Sequence, residues 1–185
     1  NYFDLFFGMK LLILDVDGVL TSGLKAYDTS GAVISKEFGD RDFTAIKEFF
    51  CAGIQVVFLS GDQQVNSQIA QSRRIPFFYS RRSSGNLSKS ECASEIQAQY
   101  NCSIDETIFV GDDLFDVEMR SHAAFIACPS NAHYLMKEVA DLVLNSASGQ
   151  GCVQELFEYF VKNSLISAAS LADVVSRDSS EYVKY

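Results

Sequence analysis

The stretch LLILDVDGVLT, residues 11–21, decides the architecture of this chain. Its first four residues are apolar and run directly into Asp15 and Asp17, which are followed by Gly18. A short apolar run that ends at a turn signal is typical of a strand buried on both faces. Two carboxylates at the end of such a strand repel each other and resist desolvation. The sequence therefore predicts that a cation or a proton shares this site.

The composition is typical of one globular domain. The chain has 185 residues, of which 48% are hydrophobic and 21% are charged, and its net charge is −9. Such an acidic chain argues against nucleic acid or a membrane surface as the partner, and no apolar run approaches the roughly 20 residues that span a bilayer. Five scattered cysteines without a CxxC pair favour a reducing, cytoplasmic location. We expect an N-terminal extension over 1–9, one domain over 10–162 and a C-terminal tail over 163–185.

Strands and helices alternate along the chain. Two short stretches on either side of Asp28-Thr29-Ser30-Gly31 predict a β-hairpin over about residues 24–37. Further strands are predicted at 54–59, 75–79, 107–110, 124–127 and 142–144, and helices at 43–51, 63–73, 88–100, 132–139 and 152–161. This order predicts an α/β fold, a Rossmann-like doubly wound parallel sheet with the hairpin as an insertion and no large cap domain.

Polar residues follow three of these strands at the point where each strand ends. In an open parallel sheet, ligands bind beyond the carboxyl ends of the strands. The three groups are therefore expected to converge on one edge of the sheet. In chain order they are Asp15 with Asp17, Ser60 with Gly61, and Asp112 with Asp113.

These side chains suit metal-assisted phosphoryl transfer. Mg²⁺ prefers oxygen ligands, which Asp15, Asp112 and the backbone carbonyl of Asp17 could supply. A metal-neutralised carboxylate can attack phosphorus, and a carboxylate two residues further on can protonate the leaving alkoxide and then activate water. Ser60 and Lys89 would hold the phosphoryl oxygens, whose charge must be stabilised in the transition state.

The order and spacing of these residues resemble the four motifs of the haloacid-dehalogenase-like phosphatases. The motifs correspond here to DVDGVLT (15–21), Ser60-Gly61, Lys89 and GDDLFD (111–116). The hairpin, Arg41-Asp42, the 129–133 stretch and Gly149-Gln150-Gly151 look like the cap-less branch of that family. This branch includes phosphatases of 3-deoxy-D-manno-octulosonate 8-phosphate (KDO 8-phosphate) and of sialic-acid-type 9-phosphates. The resemblance covers about residues 10–162.

The resemblance implies a role for each motif residue. Asp15 would be the nucleophile and Asp17 the general acid and base. The residues implied to bind phosphate or substrate are Ser60, Gly61, Lys89 and Arg41. Those implied to bind Mg²⁺ are Asp15, Asp17 and Asp112, with Asp113 and Asp116 in support.

The resemblance also implies the reaction and the assembly. The chain would be a Mg²⁺-dependent phosphomonoesterase acting on a small 2-keto-3-deoxy sugar acid phosphate through an aspartyl-phosphate, with KDO 8-phosphate as the first candidate. It would form a homotetramer in which a neighbour's hairpin helps to close each active site.

Some residues depart from the family pattern. Asp62 stands where octulosonate phosphatases usually have arginine. An acidic residue at this position resembles some sialic-acid-type members, and it would repel a substrate carboxylate. A nine-carbon 9-phosphate is therefore the alternative substrate. After Arg41-Asp42, Phe43 replaces a small residue. Ser148 replaces the first glycine of the C-terminal motif, and Glu155 stands near the position of its arginine.

Two other classes of protein share parts of this pattern. A phosphorelay receiver is disfavoured because the nucleophile candidate precedes Lys89 and the acid pair follows it. A non-catalytic oligomerisation domain, related to those fused to cytidylyltransferases, is disfavoured because the catalytic acids are retained.

Several single residues have a structural reading as well. Asp42 is a good N-cap for the helix at 43–51, and Arg41 either pairs with it or reaches the substrate carboxylate. Asp116 could be a first-turn acid favoured by the helix dipole. A histidine such as His133 is more often a surface or packing residue than part of a substrate site. Arg81 belongs to a basic loop that could attract an anion, but exposed basic loops are usually only solvated.

Overall fold

The strand at residues 11–14 lies inside a six-stranded parallel sheet. A computed structural model describes residues 8–82 and 85–181. Within these ranges the strands are β1 (Leu11–Leu14), β2 (Ala26–Tyr27), β3 (Val33–Ser35), β4 (Gln55–Ser60), β5 (Phe77–Tyr79), β6 (Arg81–Arg82), β7 (Gly85–Asn86), β8 (Thr107–Val110), β9 (Phe125–Cys128) and β10 (Leu142–Val143). The large sheet has the order β10-β9-β8-β1-β4-β5. β1 is therefore bonded on both sides, to β4 and to β8.

Helices cover both faces of this sheet. The α-helices of the described residues are α1 (Asp40–Cys51), α2 (Asn66–Ser72), α3 (Lys89–Tyr100), α4 (Tyr134–Val139), α5 (Cys152–Lys162) and α6 (Leu171–Glu181), and a 3₁₀ helix spans Leu114–Ser121. Alternate residues of β1 point to opposite faces, as a strand requires. Leu12 and Leu14 belong to the core that contains residues of α1 and α5, whereas Leu11 and Ile13 belong to the core that contains residues of α3 and α4. The predicted doubly wound α/β fold is confirmed.

The insertions between the main elements are small. β2 and β3 form the predicted hairpin, with shorter strands than expected. Asp28 closes its turn, since the carboxylate accepts the backbone N–H groups of Ser30 at 2.8 Å and Ala32 at 3.0 Å. A second short hairpin, β6 with β7, precedes α3. Within the described ranges, neither insertion has the size of a cap domain.

Asp42 does not cap the helix that contains it, so that prediction was wrong. α1 begins at Asp40, with Gly39 at the N-cap. The buried Asp42 carboxylate accepts the backbone N–H groups of Val153 at 2.8 Å and Gln154 at 3.2 Å. It therefore caps the start of α5, a helix that is remote in sequence, and fixes α1 against it.

The C-terminal stretch is more regular than its pattern indicated. Residues 171–181 form α6, which packs on α1. The Lys47 ammonium lies 2.6 Å from the Asp178 carboxylate, and the Arg177 guanidinium lies 3.6 Å from the centre of the Phe50 ring. Most of the proposed N-terminal extension, residues 1–7, lies outside the described residues, as do the last four residues of the C-terminal tail, 182–185.

In the described part of the chain, each helix is too short or too polar to cross a lipid bilayer.

Candidate active site

A cleft of about 720 Å³ opens at the carboxyl ends of β1, β4 and β8. The strand ends bring the three predicted polar groups together there, and the first residue of α3, Lys89, joins them. The predicted site residues in its lining are Asp15, Asp17, Ser60, Gly61, Lys89, Asp112 and Asp113. Asp116 is fully buried behind the cleft, below the loop that carries Asp112.

Gly18 lets the loop after β1 approach the loop after β8. Its φ is +88°, and a Cβ atom at this position would lie 1.9 Å from Oδ2 of Asp112. No side chain fits in that space, and L residues rarely adopt this backbone conformation. The glycine of the DVDG motif therefore lets the Asp112 carboxylate lie against the backbone of the loop after β1.

The first of two charged groups in the cleft is an acid cluster, which consists of Asp15, Asp112, Asp116 and Lys89. The Lys89 ammonium lies 2.9 Å from Oδ2 of Asp15 and also contacts Asp116. The second Asp116 oxygen accepts the backbone N–H groups of Asp112 at 2.8 Å and Asp113 at 3.1 Å. Asp116 therefore orients both the lysine and the acidic loop. It is also an acid in the first turn of the 3₁₀ helix at Leu114–Ser121, as its structural reading predicted, but it is buried.

The acid cluster carries more negative than positive charge. Burial raises the pKa of Asp15 to about 7, although the nearby Lys89 ammonium opposes this shift. Burial and the Asp15 charge together raise the pKa of Asp112 to about 8. For Lys89, burial disfavours the ammonium, but the Asp15 and Asp116 carboxylates outweigh it and raise its pKa. Three carboxylates and one ammonium leave the cluster short of a cation.

The donor set of the acid cluster fits a divalent cation. Asp15, Asp112 and Asp116 can each present a carboxylate oxygen within 4.8 Å of the others. Oδ1 of Asp112 is buried and has no hydrogen-bond partner among the described residues. The Asp116 oxygens already bind Lys89 and backbone N–H groups, and the Asp15 oxygens bind Lys89 and the N–H of Val16, so the unpartnered oxygen of the cluster belongs to Asp112. Oxygen ligands of this kind suit Mg²⁺.

The second charged group is a lysine cluster, which consists of Asp17, Asp62, Lys25, Lys36 and Asn66. The Lys36 ammonium lies 2.9 Å from Oδ1 and 3.0 Å from Oδ2 of Asp17, and 3.0 Å from Asp62. Lys25 lies 2.7 Å from Asp62 and 3.5 Å from Asp17. Burial would raise the pKa of Asp62, but hydrogen bonds from the two lysines outweigh it and lower that pKa to about 2. The charges of this cluster therefore balance without a metal ion.

The lysine cluster contains residues that the sequence did not single out. Lys25 and Lys36 belong to the hairpin segment, which is separate from the motifs along the chain, so the sequence did not indicate that they reach the site. Asn66 is the first residue of α2, and nothing in its local sequence pattern marks it as a site residue. Asp62 was expected to repel a substrate carboxylate, but in the structure two ammonium groups neutralise it.

Ser60 and Gly61 lie between the two clusters. The Ser60 side chain is buried, and its Oγ accepts hydrogen bonds from Nδ2 of Asn66 and from the backbone N–H of Asp62, both at 3.1 Å. A Cβ atom on Gly61 would lie 3.3 Å from Nε of Arg81. Arg81 also lines the cleft, so part of the basic loop does reach the site.

Arg41 does not reach this cleft in the single chain. It is exposed and lines a separate cavity of about 480 Å³, with Thr44, Glu48 and Gln154 among its neighbours. Its predicted contact with substrate therefore receives no support from this arrangement.

His133 has a structural position next to the acidic loop. Its backbone N–H donates to the carbonyl of Asp112 at 2.7 Å, and its Nδ1 accepts from the N–H of Leu135 at 3.3 Å. The residue therefore caps α4 and supports the loop that carries Asp112.

The altered C-terminal motif supports the loop after β1. Gly149 has φ +72°, and a Cβ atom there would lie 2.8 Å from the backbone nitrogen of Ser22. The Ser148 hydroxyl donates to Asn131 at 2.9 Å. Glu155 accepts backbone N–H bonds from Asn145 at 2.8 Å and Ser146 at 2.7 Å. These departures from the family pattern therefore keep a hydrogen-bonded loop.

A doubly wound sheet with paired aspartates after β1 and an acidic loop after β8 defines a class of enzyme. The family model of haloacid dehalogenase-like hydrolases matches residues 62–156. The chain belongs to this family, and the predicted class of phosphoric monoester hydrolase is confirmed.

Individual relatives carry a narrower name. The chain is 32% identical over 160 residues to 3-deoxy-D-manno-octulosonate 8-phosphate phosphatase of Haemophilus influenzae, with 83% of each chain covered. It is 28% identical over 148 residues to the Escherichia coli K12 enzyme of the same name, with 80% of this chain and 77% of that enzyme covered. The cobalt-bound structure of the Haemophilus influenzae phosphatase has a TM-score of 0.77 at 29% identity, over 85% of this chain and 90% of that one.

Proposed function

We propose that this chain hydrolyses the phosphate monoester of a 2-keto-3-deoxy sugar acid, with KDO 8-phosphate as the first candidate. The observation that carries the proposal is the acid cluster, where the buried Asp15 lies beside Lys89 and Asp112 in the lining of the cleft. The names of the relatives supply the substrate class. The retained acids argue against the alternative of a non-catalytic oligomerisation domain.

The geometry supports a division of labour between Asp15 and Asp17. The Asp15 carboxylate would attack phosphorus to form an aspartyl-phosphate, and Asp17 would donate a proton to the leaving alkoxide. Asp17 would then take a proton from the water that hydrolyses the intermediate. Ser60 and Lys89 would donate hydrogen bonds to the phosphoryl oxygens.

We propose Mg²⁺ as the metal, held by Asp15, Asp112 and the backbone carbonyl of Asp17, with Asp113 in support. A bound divalent cation would neutralise the carboxylates and the developing charge on the phosphoryl group. A relative with bound cobalt supports a metal at this site, and hard oxygen donors favour magnesium.

Arg81 is a candidate partner for the substrate carboxylate. Its guanidinium lines the cleft and forms no ion pair with an acidic residue of the described part of the chain. The ammonium groups of Lys25, Lys36 and Lys89 already contact aspartates. A guanidinium can bind a carboxylate through two parallel hydrogen bonds. An acidic sugar therefore fits the cleft better than a neutral one.

The nine-carbon 9-phosphate is the second candidate because Asp62 lines the cleft at the position where octulosonate phosphatases usually have arginine. We also propose a homotetramer in the cytoplasm. In support of the assembly, the hairpin carries apolar side chains in contact with solvent, among them Leu24, which is 78% exposed, and Ile34, which is 61% exposed.

Phosphate release from a substrate panel tests the proposal. The panel contains KDO 8-phosphate, a nine-carbon 2-keto acid 9-phosphate, glucose 6-phosphate and p-nitrophenyl phosphate, compared by kcat/KM with Mg²⁺. We expect one of the two sugar acid phosphates to be preferred over glucose 6-phosphate by at least about tenfold, the effect of a single charged contact. In the Arg81→Ala variant this preference should fall while turnover of p-nitrophenyl phosphate stays the same. An equal rate on acidic and neutral sugars would contradict the proposed substrate class, and no release from any ester would contradict the phosphatase reading.

A further inference from the structure

Lys36 is an unusual lysine because its side chain has no exposed surface. Removing an ammonium from water costs several kcal/mol unless polar partners replace the solvent. Here the Lys36 ammonium donates hydrogen bonds to Oδ2 of Asp17 and Oδ2 of Asp62, both at 3.0 Å, and to Oδ1 of Asn66 at 2.9 Å. Oδ1 of Asp17 lies 2.9 Å from the ammonium as an ion-pair contact. A lysine that served only to hold the hairpin could have paired at the surface. Its buried position beside Asp17 indicates a role in the site.

Asn66 connects the same carboxylate to the second motif. It is fully buried, and its Nδ2 donates to Oδ2 of Asp17 at 3.0 Å, to Oγ of Ser60 at 3.1 Å and to the carbonyl of Asp62 at 3.0 Å. The preceding residue, Val65, has φ +67°. A β-branched residue in that region is strained, and such strain persists where the surrounding structure imposes it. The backbone is therefore held in a costly conformation next to the residue that binds Asp17.

From these contacts we infer that Lys36 and Asn66 are positioning residues for proton transfer by Asp17. This inference rests on the proposed function, in which Asp17 protonates the leaving alkoxide. A general acid must hold its proton within hydrogen-bond reach of the leaving oxygen. With Lys36 and Asn66 both bound to its carboxylate, Asp17 keeps one side-chain orientation. The hairpin thereby becomes part of the catalytic apparatus of its own chain.

The same network gives Asp62 a role without a substrate contact. Its carboxylate binds Lys36 at 3.0 Å and Lys25 at 2.7 Å. Asp62 thus fixes the far side of the Lys36 ammonium, and the Lys36 position between two acids is determined from both directions. Lys25 is 21% exposed and lies 3.5 Å from Asp17, so its hold on that carboxylate is weaker.

The dependence of rate on the leaving group tests this role. An alkoxide is a poor leaving group and needs a proton, whereas p-nitrophenolate departs without one. kcat/KM reports the steps up to loss of the leaving group. In Lys36→Met and in Asn66→Ala, kcat/KM for the preferred sugar phosphate should fall by about 10²-fold, within the range for general acid catalysis. For p-nitrophenyl phosphate the fall should stay below about tenfold.

Lys25→Met is the matched control. It removes a hairpin lysine that binds the same Asp62 but is more distant from Asp17. We expect it to change kcat/KM for both substrates by a common factor, so that their ratio stays at the wild-type value. Lys36→Met removes the ammonium that pairs with Asp17 and Asp62, and this loss can prevent folding. If Lys36→Met shows no cooperative thermal transition, Asn66→Ala carries the test, because it removes an uncharged side chain and keeps these ion pairs.

The outcomes are distinct. A ratio that changes in Lys36→Met or Asn66→Ala but not in Lys25→Met supports the inference. An equal fall for both substrates in these variants would mean that the network only maintains the fold, and the inference would be wrong. A wild-type enzyme without turnover of either ester would instead contradict the proposed function.

Discussion

The first acids of the two charged clusters, Asp15 and Asp17, are two residues apart in the sequence, but the two clusters differ in charge balance. The acid cluster around Asp15 has three carboxylates and one ammonium, and burial raises the pKa values of Asp15 and Asp112. The lysine cluster around Asp17 has two carboxylates and two ammonium groups, and the pKa of Asp62 is lowered to about 2.

This difference separates two ways of keeping acids in a cleft. The chain supplies the counter-charges for Asp17 and Asp62 itself, with lysines from the hairpin. Around Asp15 and Asp112 the chain supplies fewer positive charges than carboxylates, and an external cation would balance the excess negative charge. An exchangeable cation suits the carboxylate that meets an anionic phosphate, whereas fixed cations suit a carboxylate that must keep its orientation. Under the proposed function, the acid cluster would bind the metal ion and the lysine cluster would hold Asp17 in one orientation.

The largest effect should come from replacing Asp15, the proposed nucleophile in the acid cluster. Asp15→Asn keeps the shape of the side chain but loses the attacking carboxylate. We expect kcat on the preferred sugar phosphate to fall by roughly 10⁴-fold or more, because a covalent step is removed entirely. Asp105→Asn, the same substitution at an exposed aspartate, is the control. A phosphate-release assay in which Asp15→Asn equals wild type would contradict the assignment of this residue.

A smaller effect should appear in the pH dependence of stability without metal. Asp15 and Asp112 have folded pKa values of about 7 and about 8, above the value of about 4 for an exposed aspartate. A raised carboxyl pKa stabilises the folded state fully below the unfolded pKa, and this stabilisation is lost as pH rises through the folded pKa. The melting temperature in EDTA should therefore fall by several degrees between pH 5 and pH 8. At pH 8, added Mg²⁺ should restore most of the melting temperature that is lost in EDTA.

Two variants separate the clusters in this melting experiment. Asp112→Asn removes one raised pKa, so the slope between pH 5 and pH 8 should flatten. Asp62→Asn should leave the slope unchanged, because a group with a pKa of about 2 stays ionised throughout that window. Equal slopes in wild type and Asp112→Asn would argue against the charge deficit of the acid cluster.

The smallest effect should come from Asp42, a buried aspartate that binds backbone N–H groups instead of a lysine or a metal. Asp42→Ala removes the cap of α5 and should lower the free energy of unfolding by about 1–2 kcal/mol. Asp42→Asn keeps an acceptor oxygen and should cost less. Urea unfolding measures both, and kcat should stay near wild type. An alanine variant as stable as wild type would show that this cap contributes nothing.

The strands at the floor of the cleft could be predicted because their signals are local. The predicted strand at 107–110 coincides with β8, and the helix predicted at 88–100 differs from α3 by one residue. Asp15, Asp17, Ser60 and Asp112 converge as expected because parallel strands end at one edge of a sheet. Their chemical roles stay predictions, since geometry alone does not report on turnover.

Partners that are distant along the chain could not be predicted. Asp42 was assigned to the nearest helix because capping signals are read locally, and α1 in fact presents it to α5. The substrate contact of Arg41 stays a prediction, since in the single chain α1 places this residue at another cavity. Asn66 carries no pattern of its own, and only the path of α2 brings it to Asp17.

The sequence by itself determined the α/β fold, the edge of the sheet that holds the site and the acids that converge there. Hydrophobic periodicity and the polar residues at strand ends are properties of residues that are neighbours in sequence, so they do not depend on distant parts of the chain. Only the tertiary structure decided which acids receive the protein's own cations. Lys25 and Lys36 reach Asp17 and Asp62 through a folded hairpin, and the energy of a charge depends on distances in space that sequence spacing does not contain.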